Sequence, residues 1–193
     1  MAAATDAELR AWLRLPDALT EDESATADLL IELAQGVIEE EAGQALESST
    51  DTVVLDGPTR DGSAYQSASR SDRLILPRWP VTAVHTVTED GTDLTHGTSG
   101  GYTWSAAGIL TRRGATWPSH DQAVEVVYTA GFLLWPPGLK RIVLRLAAAG
   151  WSNPEMLASE SLGDHSRSFV AEALGMELTK ADLRTVSAYK ART

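Results

Sequence analysis

The sequence predicts an α+β fold: an N-terminal helical pair, a central antiparallel β region, a long central helix, and a C-terminal arm with a short helix. Three observations carry this. Apolar residues recur at helical spacing in the first fifty positions. Short alternating runs divided by turn residues fill the middle. One stretch, Ala123–Trp151, then passes from a strand pattern into a helix pattern. A run of strands between helices, rather than alternating with them, argues against βαβ units. The expected segments are residues 1–50 for the N-terminal helices, 51–132 for the β region as a candidate insertion, 133–153 for the central helix, and 154–193 for the arm and terminal helix.

Each element has a local reason. Thr5-Asp6-Ala7-Glu8 spells a capping box, in which the threonine side chain and the third residue's carboxylate satisfy each other's backbone N–H; Leu9, Trp12 and Leu13 follow before Pro16 stops the helix. Thr20-Glu21-Asp22-Glu23 is a second box and opens a long helix to about Ala42. Leu30, Leu33, Ala34, Val37 and Ile38 form its expected apolar stripe, and Gly43 its stop. Strand candidates are Thr52–Leu55, Arg73–Leu76, Val81–Glu89, Asp93–Thr95, Gly101–Trp104, Gly108–Thr111 and Ala123–Tyr128. Asp56–Ser71 reads as a polar loop. Asp90-Gly91 suits a tight hairpin turn, because both residues tolerate positive φ.

In Ala123–Tyr128, Val124, Val126 and Tyr128 share one face and Glu125 and Val127 the other. Gly131 breaks the run, and Trp135-Pro136-Pro137 makes a stiff corner with Pro137 at a first helical position. From Gly138 to Gly150, Leu139, Ile142, Val143, Leu146 and Ala147 line one stripe, with Lys140, Arg141 and Arg145 off it. Ser152-Asn153-Pro154 ends this helix. Asp164–Phe169 reads as a short strand or an ordered arm. Thr179 caps a last helix with Leu183, Val186 and Tyr189 on one side. That helix either seeks a partner or folds back on its own core.

Composition narrows the function classes. The 193 residues suffice for a sizeable core, and the chain is 43% hydrophobic and 22% charged, as in globular proteins. With no cysteine there is no disulfide and no thiolate metal site. The N-terminus lacks a basic region followed by an apolar core, so no signal peptide is expected. No run approaches the roughly 18 apolar residues of a membrane span. The net charge is −11 and unevenly placed: nine acids and no base lie between Thr20 and Thr50, whereas Pro136–Thr193 holds eight bases and six acids. Such a chain is a poor tight binder of nucleic acid, which needs Lys and Arg to displace counterions.

Catalytic patterns do not emerge. His85, His96, His120 and His165 lack metal-helix spacing with glutamate, no phosphate-cradling glycine loop occurs, and no serine sits in a nucleophile elbow. No catalytic, cofactor-binding or metal residue is expected. Of the six tryptophans, Trp12, Trp79, Trp117, Trp135 and Trp151 fall at element boundaries, where large rings commonly close a core; a carbohydrate platform is the alternative reading.

The order of AELRAWLRLPD, DLLIELAQGVIEEEAGQAL, LILPRWPVTAVHTV, VEVVYTAGF, PPGLKRIVLRLAA, ESLGDHSRSF and LTKADLRTVSAYK along nearly the whole chain resembles the head–tail connector (adaptor, or head-completion) proteins of tailed double-stranded DNA phages. LPRWPV (Leu76–Val81) and YTAGF with PPGLK (Tyr128–Lys140) are its sharpest pieces. The β region is longer than the small hairpin of compact members. The resemblance implies a virion structural protein of the neck, made in the host bacterial cytoplasm. It implies a homo-oligomeric ring, usually of twelve, below the portal protein, with a tail-side stopper or tail terminator as the other neighbour. DNA would pass through the channel without sequence-specific binding; no cofactor, enzyme activity or membrane is implied. A tail terminator is the nearest alternative. On the connector reading, Leu183, Arg184, Val186, Tyr189 and Lys190 are expected to contact the portal. Glu32, Glu39, Glu40 and Glu41 are expected on a subunit interface or the channel wall.

Overall fold

The computed structural model describes residues 3–58, 72–153, 159–162, 165–168 and 176–191. The chain divides into two compact units: a helical one built from Met1–Gly43 and Leu134–Lys190, and a β one built from Gln44–Leu133 with Ala191–Thr193. The helical unit is thus discontinuous in sequence, with the β unit between its two parts.

In the helical unit, α1 spans Asp6–Leu13, α2 Glu21–Ala42, α3 Pro137–Ser152 and α4 Lys180–Ser187. A short antiparallel hairpin pairs β8 (Ser159–Leu162) with β9 (His165–Ser168). Those bounds take up the strand reading of the arm; Asp164 and Phe169 lie outside the described residues. Capping boxes form at Thr5 with Glu8, at Thr20 with Glu23 and at Thr179 with Asp182, and Gly43 ends α2 in the left-handed region. Pro137 occupies the first turn of α3, which runs two residues past Gly150 to Ser152. Leu139, Ile142, Val143, Leu146 and Ala147 of α3 are buried, as the spacing requires.

Helix α2 departs from the expected stripe. Its buried face is Ala27, Ile31, Ala34, Ile38 and Ala42, while Leu30 and Val37 are half-buried and Leu33 is exposed. Leucines surround this helix, so periodicity alone had two apolar faces to choose from. Trp12 likewise closes no core: it is 46% exposed.

The β unit holds two antiparallel sheets. One has the order β1-β7-β3-β4 (Ser49–Leu55, Val124–Ala130, Val81–Glu89, Thr92–Asp93), and the other β2-β6-β5 (Arg73–Ile75, Ile109–Arg112, Tyr102–Trp104). All seven expected strands exist, with bounds shifted by up to three residues. Most of the Asp56–Ser71 loop lies outside the described residues. Asp90 and Gly91 turn β3 into β4 with φ of 49° and 77°, and Glu89 pairs with Thr92. Val124, Val126, Tyr128 and Ala130 point into a core with Leu74, Leu76, Val81, Val87, Leu110 and Trp117.

Two arginines fasten this unit. Arg78 donates from Nε to the Ala45 carbonyl (3.1 Å), and from its two terminal nitrogens to Ser49 Oγ (2.6 Å), Glu47 O (2.6 Å), Ala130 O (3.3 Å) and the Asp51 carboxylate. Beside it, the Trp79 N–H donates to Gln44 Oε1, the Gly131 N–H to Pro80 O and the Phe132 N–H to Leu46 O. Residues 44–51, 78–80 and 130–132 are therefore one knot, all of it within the β unit. At Arg112, Nε and one terminal nitrogen grip both Glu89 oxygens at 2.9 and 3.0 Å, the other reaches the Gly100 and Gly101 carbonyls, and the guanidinium lies 5.5 Å from the Trp117 ring centroid.

Gly131 adopts φ of 103°, and a Cβ there would fall 2.4 Å from the Glu47 carbonyl oxygen. Gly131→Ala is expected to cost about 2–4 kcal/mol, combining backbone strain with a backbone clash. Gly36→Ala, mid-helix with nothing within 4 Å of the added carbon, is expected to gain up to about 1 kcal/mol. Thermal melts of the two variants should move in opposite directions; a silent Gly131→Ala would contradict the knot.

Candidate interaction surfaces

Among the described residues no group of three or more His, Asp or Glu is placed to hold a metal, and no helix is long and apolar enough to cross a membrane. His120 hydrogen-bonds Asp90 across 2.8 Å on the surface rather than its neighbour Asp121. His85 contacts Thr129 Oγ1 at 2.8 Å, and the His96 ring packs edge-on against Tyr102. Each of these three contacts serves strand or turn geometry.

The terminal helix is docked. An eight-residue helix is marginal alone; α4 is held by its capping box, by Val186, which is fully buried, and by Asp182. Asp182 accepts from Thr179 Oγ1 (2.6 Å), the Thr179 N–H (3.1 Å) and Arg145 (2.6 Å), with Arg141 at 3.7 Å. Burial by itself would push this carboxyl up, but the Thr179 bonds, then Arg145 and Arg141, more than offset that and hold it below the usual carboxylate range. Of the five residues expected to meet the portal, Val186 thus faces its own core. Leu183, Arg184 and Lys190 are exposed and Tyr189 is half-buried. Lys190 also pairs with Glu41 at 2.7 Å.

The C-terminal bases are partly spent inside the unit. Lys140 binds Glu8, whose carboxyl is lowered chiefly by that hydrogen bond. With Arg145 on Asp182 and Lys190 on Glu41, the attraction between acidic N-terminal and basic C-terminal segments is in part intramolecular. Gln35 reaches Glu39 at 3.3 Å, whereas Glu32 and Glu40 are exposed. Of the four acids, Glu39 and Glu41 are engaged with Gln35 and Lys190, and Glu32 and Glu40 are exposed.

Two concave regions flank α2. One is a mainly apolar groove of about 310 Å³ bounded by Leu30, Gly150 and Trp151, with Asp22 and Glu23 at its rim. The other, about 610 Å³, lies among Val37, Met176, Leu178 and Leu183, with Glu40, Glu41 and Glu177 around it. On the outer side of α2, Leu29 and Leu33 stand 54% and 49% exposed. Nothing in the spacing of α2 distinguished this outer pair from the core stripe, so the sequence reading missed it.

No protein-family model and no curated protein matches the sequence. Solved structures do. A chain in the neck of an empty gene transfer agent particle, computed with C6 symmetry, is 22% identical, with 99% of this chain and 91% of that one covered and a TM-score of 0.58. A chain of the native gene transfer agent virion is 20% identical over the same shares, also at 0.58. One from the native neck, computed with C12 symmetry, is 21% identical over 99% and 90%, at 0.57. What this chain shares with them is a fold, helical and β parts together, and that fold is consistent with the head–tail connector family its sequence resembles.

The Asp182 carboxyl is more acidic folded than unfolded, so its stabilisation is complete above about pH 4 and is lost as pH falls through the lowered folded value. Glu8 acts in the same direction. Asp182→Asn is expected to destabilise the protein by roughly 1–3 kcal/mol at pH 7, since Arg145 loses its ionic partner, and the gap to wild type should narrow as pH falls below about 4. Thermal melts across this range check it; a gap constant with pH would contradict the assignment.

Proposed function

We propose that this chain is a structural subunit of the neck of a tailed, phage-like particle: a head-to-tail adaptor that forms a ring below the portal, joins capsid to tail and leaves a channel for DNA. The observation that carries this reading is the shared fold across 99% of the chain with neck chains of gene transfer agent particles. The C12 symmetry under which one of those necks was computed favours a ring of twelve. A ring closes through heterologous contacts, in which one face of a subunit meets a different face of the next. Nothing in the reading requires catalysis. The net charge of −11 lets DNA pass without being gripped, since phosphate contacts need Lys and Arg.

The outward side of docked α4 is the portal-facing surface on this reading. It offers Leu183 as an apolar contact beside Arg184, with Lys180, Tyr189 and Lys190 nearby on the same segment. Val186 stabilises α4 from within. A tail terminator or other neck-completion ring is the second reading, because the same fold similarity serves any ring in the neck.

Particles made without this chain should accumulate as DNA-filled heads lacking tails. Leu183→Asp with Arg184→Glu should fold normally yet reduce copurification with portal at least about tenfold, as loss of an interface anchor does. Copurification with tail tube and not portal would favour the terminator reading. Normal particles in the chain's absence would overturn both.

A further inference from the structure

Helix α2 is apolar on opposite sides. Ala27, Ile31, Ala34, Ile38 and Ala42 fill the unit's own core. Half a turn away run Ala25, Leu29, Leu33 and Gly36, all exposed. At 100° per residue these four lie within about 80° of one another, centred nearly opposite the buried stripe. A helix apolar all round is normally buried all round. α3 shows the contrast, since its one exposed internal position carries Arg141. Gly36 adds a second feature. A Cβ there would have nothing within 4 Å, so its own unit does not require a glycine in this helix, where glycine costs about 1 kcal/mol. A neighbour whose backbone comes close would require one. Along one side of the stripe stand the exposed carboxylates of Asp28 and Glu32, with Glu40 at its far end.

The same unit carries a surface of complementary character on α1. Trp12 is 46% exposed beside the exposed Arg14. Tryptophan and arginine are the residue types that most often anchor interfaces, and the positive charge suits the acids flanking Leu29 and Leu33. One chain thus holds an apolar stripe edged with acid and a separate aromatic knob edged with base. Two unlike, matching surfaces on one subunit are what a heterologous ring needs.

We infer that the outer stripe of α2, Ala25, Leu29, Leu33 and Gly36, is the seam between neighbouring subunits, and that it receives Trp12 and Arg14 of the next copy. This rests on the ring reading above and assigns its faces. Glu32 and Glu40 then serve subunit pairing rather than the channel wall.

The absence of cysteine makes the test clean. Wild type, Leu29→Glu with Leu33→Glu, and the double variant Trp12→Cys with Leu29→Cys are followed by light scattering and electron microscopy, as purified protein and in assembled particles. Since both leucines are solvent-exposed, the double glutamate variant should keep the wild-type circular dichroism and melting profile while its ring association weakens at least about thirtyfold. A short bismaleimide should link the double-cysteine rings into a ladder reaching the full ring, and either single cysteine variant should give none. Rings that persist with both glutamates, or dimers from Leu29→Cys alone, would overturn the seam and leave the ring reading standing. A wild-type chain that forms no ring, alone or in particles, would overturn both.

Discussion

The β unit depends on one guanidinium. Arg78 has no acid of comparable reach beside it in sequence, yet it binds backbone carbonyls at Ala45, Glu47 and Ala130, the Ser49 hydroxyl and the Asp51 carboxylate. Arginine alone among side chains offers five donors in a fixed planar fork. It thereby joins the start of β1, the approach to β3 and the end of β7, three segments far apart in the chain. Carbonyls that would otherwise be short of donors where the strands end are satisfied at one point. Around it, Trp79 completes the knot through the Gln44 side chain and Pro80, Gly131 and Phe132 through backbone bonds, and Gly131 is required because a side chain would strike the Glu47 carbonyl.

This knot gives a physical meaning to the two most recognisable motifs. LPRWPV supplies Arg78, Trp79 and Pro80; YTAGF supplies Ala130, Gly131 and Phe132. They are distant in sequence and adjacent in space. Neither is a catalytic signature, and both are constrained by the same few hydrogen bonds. A resemblance resting on them is therefore a resemblance of architecture, which is the level at which the gene transfer agent neck chains also agree with this one.

Much of the architecture was legible in the sequence because its signals are local. Capping boxes at Thr5 and Thr20, the helix cap at Thr179, the turn at Asp90-Gly91 and the alternation of Val124, Val126 and Tyr128 each act over a few residues and lie where the sequence puts them. The failures were of another kind. Leu33 was placed in the core stripe of α2 because leucines lie on both sides of that helix, and periodicity cannot say which side belongs to the subunit. Trp12 sits at a helix end where a large ring commonly closes a core, yet it is half exposed, and neither spacing nor residue type distinguishes the two outcomes. Val186 shows the converse. Its helix reads from sequence as either seeking a partner or folding back on its own core, and the structure seals Val186 beneath α4 while Asp182 ties that helix to Arg145. Pairings such as Arg78 with Glu47, or Lys140 with Glu8, carry no sequence-local signal at all.

The surfaces make physical sense as those of a component rather than of a finished particle. Leu29, Leu33 and Trp12 leave apolar area in water, whereas Lys140 and Arg145 of α3 find carboxylate partners within the unit in Glu8 and Asp182. The most direct measurement is a cryo-electron microscopy reconstruction of particles containing this chain, centred on the head–tail junction. The account predicts a closed ring of this subunit around an axial DNA channel, with α2 of each copy against α1 of the next. Finding the chain outside the neck, or present there without rotational symmetry, would contradict it.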